Sequence, residues 1–125
     1  MTIPANLKYT KDHEWVRIDG DIATFGITDH AQEALGDIVF VELPDIDREL
    51  EAGEAYAVVE SVKAVSDVYA PVAGVVVEVN EELEGEPEKV NTDAFGGGWI
   101  AKVKISGDGS LELMTDDQYN TFLEE

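Results

Sequence analysis

Along most of this chain apolar and polar positions alternate with a period of two, the pattern of strands that bury one face. Glu14-Trp15-Val16-Arg17-Ile18 and Asp21-Ile22-Ala23-Thr24-Phe25 predict a hairpin, with Asp19-Gly20 supplying the positive φ angles of a type I′ turn. Ile38 to Leu43 is a nearly continuous apolar run stopped by Pro44, as expected of a buried strand, and Ala73 to Val79 is another. Trp99 to Ile105 alternates cleanly, with Ala101, Val103 and Ile105 on one face and Lys102 and Lys104 on the other. Two further β-prone runs, Ala55 to Ser61 and Ala64 to Ala70, predict a second hairpin over about residues 55–70.

Helical spacing is confined to two places. Over Thr28 to Leu35, Thr28 or Asp29 can cap the start, Gln32 can reach back, and Gly36 can end the helix. At the tail, over about 115–124, Thr115 and Gln118 form a capping box, and Tyr119, Phe122 and Leu123 share one face that should dock on the sheet. The fold class is therefore mainly β, with a short helix in the N-terminal half and a helix near the end. A weak internal repeat at an offset of 38 residues aligns Ile27-Thr28-Asp29 with Val65-Ser66-Asp67, Gly36 with Gly74, and Ile38–Val41 with Val76–Val79. It predicts two similar sheets packed face to face as halves of a flattened barrel.

With 125 residues, 44% of them hydrophobic, the chain has material for one core, so residues 1–125 read as a single domain. Twenty-eight acidic residues against eight Lys and Arg give a formal charge of −20. That charge repels nucleic acid and anionic membrane, favours a monomer, and asks any protein partner for basic surface. The densest acid lies in Asp45 to Glu54 and Glu78 to Glu88, read as solvated loops. The alternating acids from Asp45 fail as a calcium loop, because Leu50 stands where glycine is needed and Tyr56 where glutamate is needed. Met1-Thr2-Ile3-Pro4-Ala5-Asn6 lacks the features of a signal or transit peptide, and no apolar stretch has membrane length, so a cytoplasmic location is expected.

Few residues could carry chemistry. There is no cysteine, and His13 and His30 fit no catalytic or metal spacing, so both are read as structural and no metal is expected. Ser61 has no identifiable base partner, and Trp15 and Trp99 read as core aromatics. No constellation of nucleophile, base and electrostatic stabiliser emerges, so no residue is assigned as catalytic. Lys63 stands out because it falls at the predicted tip of the second hairpin, where a modifying enzyme can grip it and a long attached group can swing. From spacing alone a surface lysine kept for solubility on a turn is the readier reading.

Its neighbours change that balance. Glu60-Ser61-Val62-Lys63-Ala64 resembles the lipoylation motif, and the methionines that flank the lysine of biotin carriers are replaced here by Val62 and Ala64. The resemblance extends over nearly the whole chain, to the H proteins of the glycine cleavage system. It rests on Leu7-Lys8-Tyr9-Thr10, His13-Glu14-Trp15-Val16, Gly26 to Gln32, Leu35 to Pro44, Tyr69 to Gly74, Val79-Asn80, Val90-Asn91 and Gly98-Trp99-Ile100.

The resemblance implies a hybrid-motif β-sandwich like that of lipoyl and biotinyl domains, with lipoate joined to Lys63 by an amide and Glu60, Ser61, Val62 and Ala64 recognised by a lipoate ligase or a lipoyl/octanoyl transferase. In that family the oxidised arm accepts an aminomethyl group from glycine on the pyridoxal-phosphate-dependent P protein (glycine decarboxylase). The T protein (aminomethyltransferase) passes the one-carbon unit to tetrahydrofolate, and the L protein (dihydrolipoyl dehydrogenase) reoxidises the arm. The chain would be a carrier, not an enzyme. Glu14 and Asp67 are expected to pair with the amine of a loaded arm, and Ile27 and Leu35 to offer it apolar contact. The acidic loops and the Thr28–Leu35 helix are the expected docking surface. The alternatives are a relay or store of lipoyl groups, and a lipoyl domain serving 2-oxo-acid dehydrogenase complexes. An unmodified acidic protein that binds a basic partner would explain the charge and none of the motifs.

Overall fold

The computed structural model describes residues 3–124; Met1, Thr2 and Glu125 lie outside it. Among the described residues nine strands and four helices follow in the order β1 (Lys8–Tyr9), β2 (Glu14–Asp19), β3 (Ile22–Ile27), α1 (Asp29–Leu35), β4 (Ile38–Glu42), β5 (Glu49–Leu50), β6 (Ala55–Ser61), β7 (Val65–Tyr69), β8 (Val72–Val79), α2 (Glu82–Gly85), α3 (Lys89–Thr92), β9 (Ala101–Ser110) and α4 (Asp116–Glu124). They form a sandwich of two antiparallel sheets, one ordered β1-β2-β3-β9-β8-β5 and the other β4-β6-β7. The expected mainly β sandwich is thus the observed one.

Cross-strand register explains which side chains enter the core. In the larger sheet Val16, Phe25 and Ala101 make one inward row, and Ala23, Val103 and Val76 make the next, all of them fully buried. From the smaller sheet Val41 and the Val59 opposite it close over these rows, as do Ala57 and Val68. Fully burying one such aliphatic side chain is worth roughly 1.5–3 kcal/mol, so these facing rows are what hold the two sheets together.

A second apolar cluster covers part of the outer face of the larger sheet. Trp15 points outward from β2, lies across Gly26, and donates from Nε1 to the carbonyl of Ala94 at 2.9 Å. Helix α4 completes the cover: the Tyr119 ring stacks on Tyr9 with centroids 4.7 Å apart and planes 7° apart. Its capping box is formed as expected, Thr115 N donating to Gln118 Oε1 and Gln118 N to Thr115 Oγ1.

Several sequence expectations need correction. Asp19 pairs with Ile22, so the first turn is Gly20-Asp21 with a positive φ only at Gly20, the type II′ pattern instead of type I′. Gln32 does not reach back to the start of α1; Thr28 alone caps it, accepting from Ala31 N at 3.2 Å. The β4 run is not buried throughout, because a bulge between Ile38 and Phe40 turns both Val39 and Phe40 to solvent. The two sheets are unequal, and the repeat is not structural at its first element: Ile27-Thr28-Asp29 leads into a helix whereas Val65-Ser66-Asp67 lies within β7. The acidic stretches are more than solvated loops, since β5 buries Leu50 and the one-turn α2 buries Leu83. Trp99 is half-buried at the rim of the second cluster, with Lys102 Nζ 5.1 Å above its ring.

Candidate functional site

Lys63 occupies the tip of the β6–β7 hairpin, exposed as expected. Its turn is built by one hydroxyl. Ser61 Oγ accepts from Lys63 N at 3.3 Å and Ala64 N at 3.0 Å, while Ser61 N donates to the Ala64 carbonyl at 2.8 Å. Such local side-chain-to-backbone bonds fix a turn that the strand ladder cannot reach.

The tip is also fastened to the opposite side of its sheet. Val62 N donates to the Asp37 carbonyl at 3.1 Å, and the stem of Lys63 crosses Gly36, with Cε 3.5 Å from where a β-carbon on that glycine would stand. Gly36 ends α1 with a φ of 85°, a value glycine adopts without strain. Asn91 on α3 locks this helix-to-strand corner: Nδ2 donates to Gln32 Oε1 at 2.8 Å and to the Gly36 carbonyl at 2.9 Å, and Oδ1 accepts from Ile38 N at 2.8 Å. The platform under Lys63 is therefore made by residues nearly sixty positions apart.

Around the tip lies an unusual concentration of exposed apolar surface. Val62 is 71% exposed, Val65 66%, Val39 53% and Phe40 46%. Phe40, Glu60 and Val65 form one cross-strand row on the outer face of the smaller sheet, with Glu42, Val58 and Asp67 in the next row. Scattered apolar side chains need no explanation, but a group gathered about one residue marks a contact surface. No ion pair engages the Lys63 ammonium among the described residues, so its amine is open to acylation.

The residues expected to shelter an attached arm do not share one cleft. Glu14 pairs with Ile27 on the inward face of the larger sheet, and both are buried. The Glu14 carboxylate accepts from Tyr69 N at 2.7 Å and from Thr10 Oγ1 at 3.0 Å, bridging the two sheets at the base of the hairpin. Burial pushes this carboxyl up to about 7 against the pull of both hydrogen bonds. Nearby Tyr56 is raised by its own burial and then by the Glu14 charge, and its hydroxyl has no partner among the described residues. Leu35 is half-buried at the end of α1, beside the glycine that Lys63 crosses, and Asp67 is exposed on the outer face of β7.

Sequence reasoning missed Asn91, Thr10 and the Asp37 carbonyl as parts of the site, and the outward turn of Val39 and Phe40. Val90-Asn91 was legible only as a point of resemblance, since an asparagine inside an acidic stretch carries no signal that it will cap a distant corner.

The half-barrel sandwich and its fastened, exposed hairpin lysine define a carrier-type domain. Residues 7–125 match the family model described as glycine cleavage H-protein, and the chain belongs to that family. It is similar to the glycine cleavage system H protein of Aliivibrio salmonicida, with 58% identity over 96% of this chain and 97% of the relative. To the protein of the same name from Halothermothrix orenii it is 54% identical, over 100% of this chain and 98% of the relative. Among solved structures, the crystal structure of a glycine cleavage system H protein from Mycobacterium marinum superposes with a TM-score of 0.91 at 41% identity, covering 98% of this chain and 100% of that one.

Proposed function

We propose that this chain is the lipoylated carrier of the glycine cleavage system, with lipoate in amide linkage to Lys63 Nζ. In this reading it takes the aminomethyl group of glycine from the P protein to the T protein, delivers electrons to the L protein, and catalyses none of these steps. The carrying observation is the lysine itself: exposed, free of an ion pair, and set on a turn held by Ser61 and Asp37. A bound lipoyl group supplies a disulfide able to take up a one-carbon unit and two electrons, while the protein supplies attachment and presentation.

The chain's own residues divide the remaining work. Val62 and Ala64 stand exposed beside the amine, Ser61 sets the turn, and Glu60 lies in the outward row with Phe40 and Val65. These four are what a lipoate ligase or a lipoyl/octanoyl transferase would grip. The same outward rows combine apolar side chains with Glu42, Glu60 and Asp67, a surface suited to partner enzymes that carry basic groups. In this reading Leu35 would offer apolar contact to the base of the arm, and Asp67 would pair with an ammonium on it. Glu14 and Ile27 would serve from the interior, which requires the arm to enter where Glu14 meets Tyr69. Replacing Glu14 and Asp67 together by their amides should speed ammonia loss from the loaded carrier, and an unchanged rate would refute the sheltering role.

The deciding experiment is intact and peptide mass spectrometry of the chain made in a lipoate-replete host, beside a Lys63→Arg control. A lipoyl adduct confined to Lys63, followed by P-protein-dependent exchange of glycine carbon dioxide, is the expected result. An unmodified chain despite available lipoate, or an adduct elsewhere, overturns the proposal.

A further inference from the structure

The two histidines fit none of the carrier chemistry, yet the fold brings them face to face. Their ring centroids are 4.2 Å apart with planes 30° apart. His13 is held there by an unusual backbone: its φ is 64°, its N–H donates to the Thr10 carbonyl at 3.1 Å, and its carbonyl accepts from Thr28 N at 3.0 Å. A non-glycine residue in that conformation is uncommon, and the surrounding bonds must enforce it. His30 sits in the first turn of α1.

The pair joins two helices. His13 Nδ1 lies 2.9 Å from the Tyr119 hydroxyl on α4, and that hydroxyl lies 2.8 Å from Oγ1 of Thr28, the cap of α1. The Phe122 ring, also on α4, is 5.8 Å from His13. His30 Nδ1 is buried and finds no hydrogen-bond partner among the described residues. A cleft of about 280 Å³ lined by His13, His30, Phe122 and Leu123 gives water, and so protons, access to the rings.

We propose that the stacked His13–His30 pair is a proton-operated latch that holds α4 on α1 while both rings are neutral and loosens it when protons are taken up. The hydroxyl chain tolerates one proton by reversing direction. With His13 neutral, Tyr119 donates to Nδ1 and Thr28 donates to Tyr119; with His13 protonated, Nδ1 donates to Tyr119 and Tyr119 to Thr28. A second proton on His30 would place two cations at stacking distance with no carboxylate hydrogen-bonded to either ring among the described residues. The ionisable groups next to the pair in sequence or on the helices that hold it are Asp12 and Glu14 on either side of His13, Asp29 and Glu33 beside His30 on α1, and Asp116, Asp117, Tyr119 and Glu124 on α4. Of the acids, only Asp12 acts resolvably on His13, favouring its charge; burial and then His30 outweigh it and hold His13 below the usual histidine range. The docked state therefore binds fewer protons than the released one, and docking weakens as pH falls through about 6.5. The far end of α1 is the Gly36 platform that Lys63 crosses, so the latch and the lysine sit on opposite ends of one helix.

Amide hydrogen exchange of α4, corrected for intrinsic rates, tests this at pH 7.5 and 5.5 on the intact chain and on His30→Phe, which keeps a neutral aromatic stack. One proton taken up across one pH unit below the midpoint means that the pair lowers protection by up to about tenfold at pH 5.5 in the native chain, and the loss is smaller in the variant, where burial alone still opposes the charge on His13. A change in protection between the two pH values that is the same in His30→Phe as in the native chain overturns the latch. Glu14 titrates in this range with the opposite sign and would offset part of the loss, but both proteins keep it, so the difference between them is free of its contribution. Should His30→Phe fail to fold, imidazole proton resonances of the native chain decide: two separated steps, with the second well below 6.5, support the latch, and independent titration of both rings at the ordinary value overturns it.

Discussion

Replacing Glu14 by Gln should stabilise the protein at alkaline pH and do little at acid pH. The carboxyl is 3% exposed and its folded value is pushed from 4.5 to about 7, so the folded chain holds this proton more tightly than the unfolded chain does. Stability from this group is then full below about 4.5, falls as pH rises towards 7, and stays level above. At about 1.4 kcal/mol per pH unit, ionising Glu14 in the folded protein costs about 3 kcal/mol at pH 8. Glutamine keeps an oxygen for Tyr69 N and turns its amide nitrogen to Thr10 Oγ1, reversing one hydrogen bond at a cost of about 1 kcal/mol. The net expectation is a gain of about 2 kcal/mol at pH 8, some 5–10 °C in Tm for a chain of this size. Near pH 4.5 it becomes a loss of about 1 kcal/mol. Urea denaturation of both proteins at the two pH values measures it, and taking the difference between them cancels the titration of His13. A difference that is the same at both pH values would refute a buried, readily neutralised Glu14.

The other expectations concern packing and the hairpin platform. Gly26→Ala drives a methyl group into the Trp15 indole and should cost about 3 kcal/mol, with a red-shifted tryptophan emission as the Ala94 hydrogen bond breaks; native-like emission would refute the close approach. Asn91→Ala removes three hydrogen bonds from the α1–β4 corner and should cost about 2–3 kcal/mol by urea melts, with faster amide exchange at Ile38. Ser61→Ala should lower global stability by no more than about 1 kcal/mol, yet raise exchange at Lys63 and Ala64 specifically. A uniform change across the chain would refute its role as organiser of the turn.

What could be read from the sequence was what depends on near neighbours. The Thr115–Gln118 capping box, the Thr28 cap, the Gly36 stop and the two hairpins all rest on residues within a few positions of each other, and they stand where the spacing put them, except that the first hairpin turns one residue later, at Gly20-Asp21. Lys63 at its tip belongs with these. The environment of Glu14 was hidden because it depends on Tyr69, and that of His13 because it depends on Tyr119, 106 positions away. Periodicity gave Glu14 no warning of burial, since a glutamate beginning a strand ordinarily faces water. The β4 bulge was invisible for a related reason: a run of apolar residues looks the same whether a strand stays in register or slips by one, and only the partner β6 decides.

The bond from Val62 N to the Asp37 carbonyl ties the base of the lysine to the sandwich. A prosthetic arm fixed to it would gain its freedom from the methylenes of Lys63 and from the arm itself, with no slack contributed by the hairpin. Its tip could explore only a small dome above one end of the protein, so successive active sites could be served only if the carrier leaves one enzyme and collides with the next. Throughput would then follow the concentration of free carrier, and the −20 charge would set how fast it meets any partner that carries basic groups.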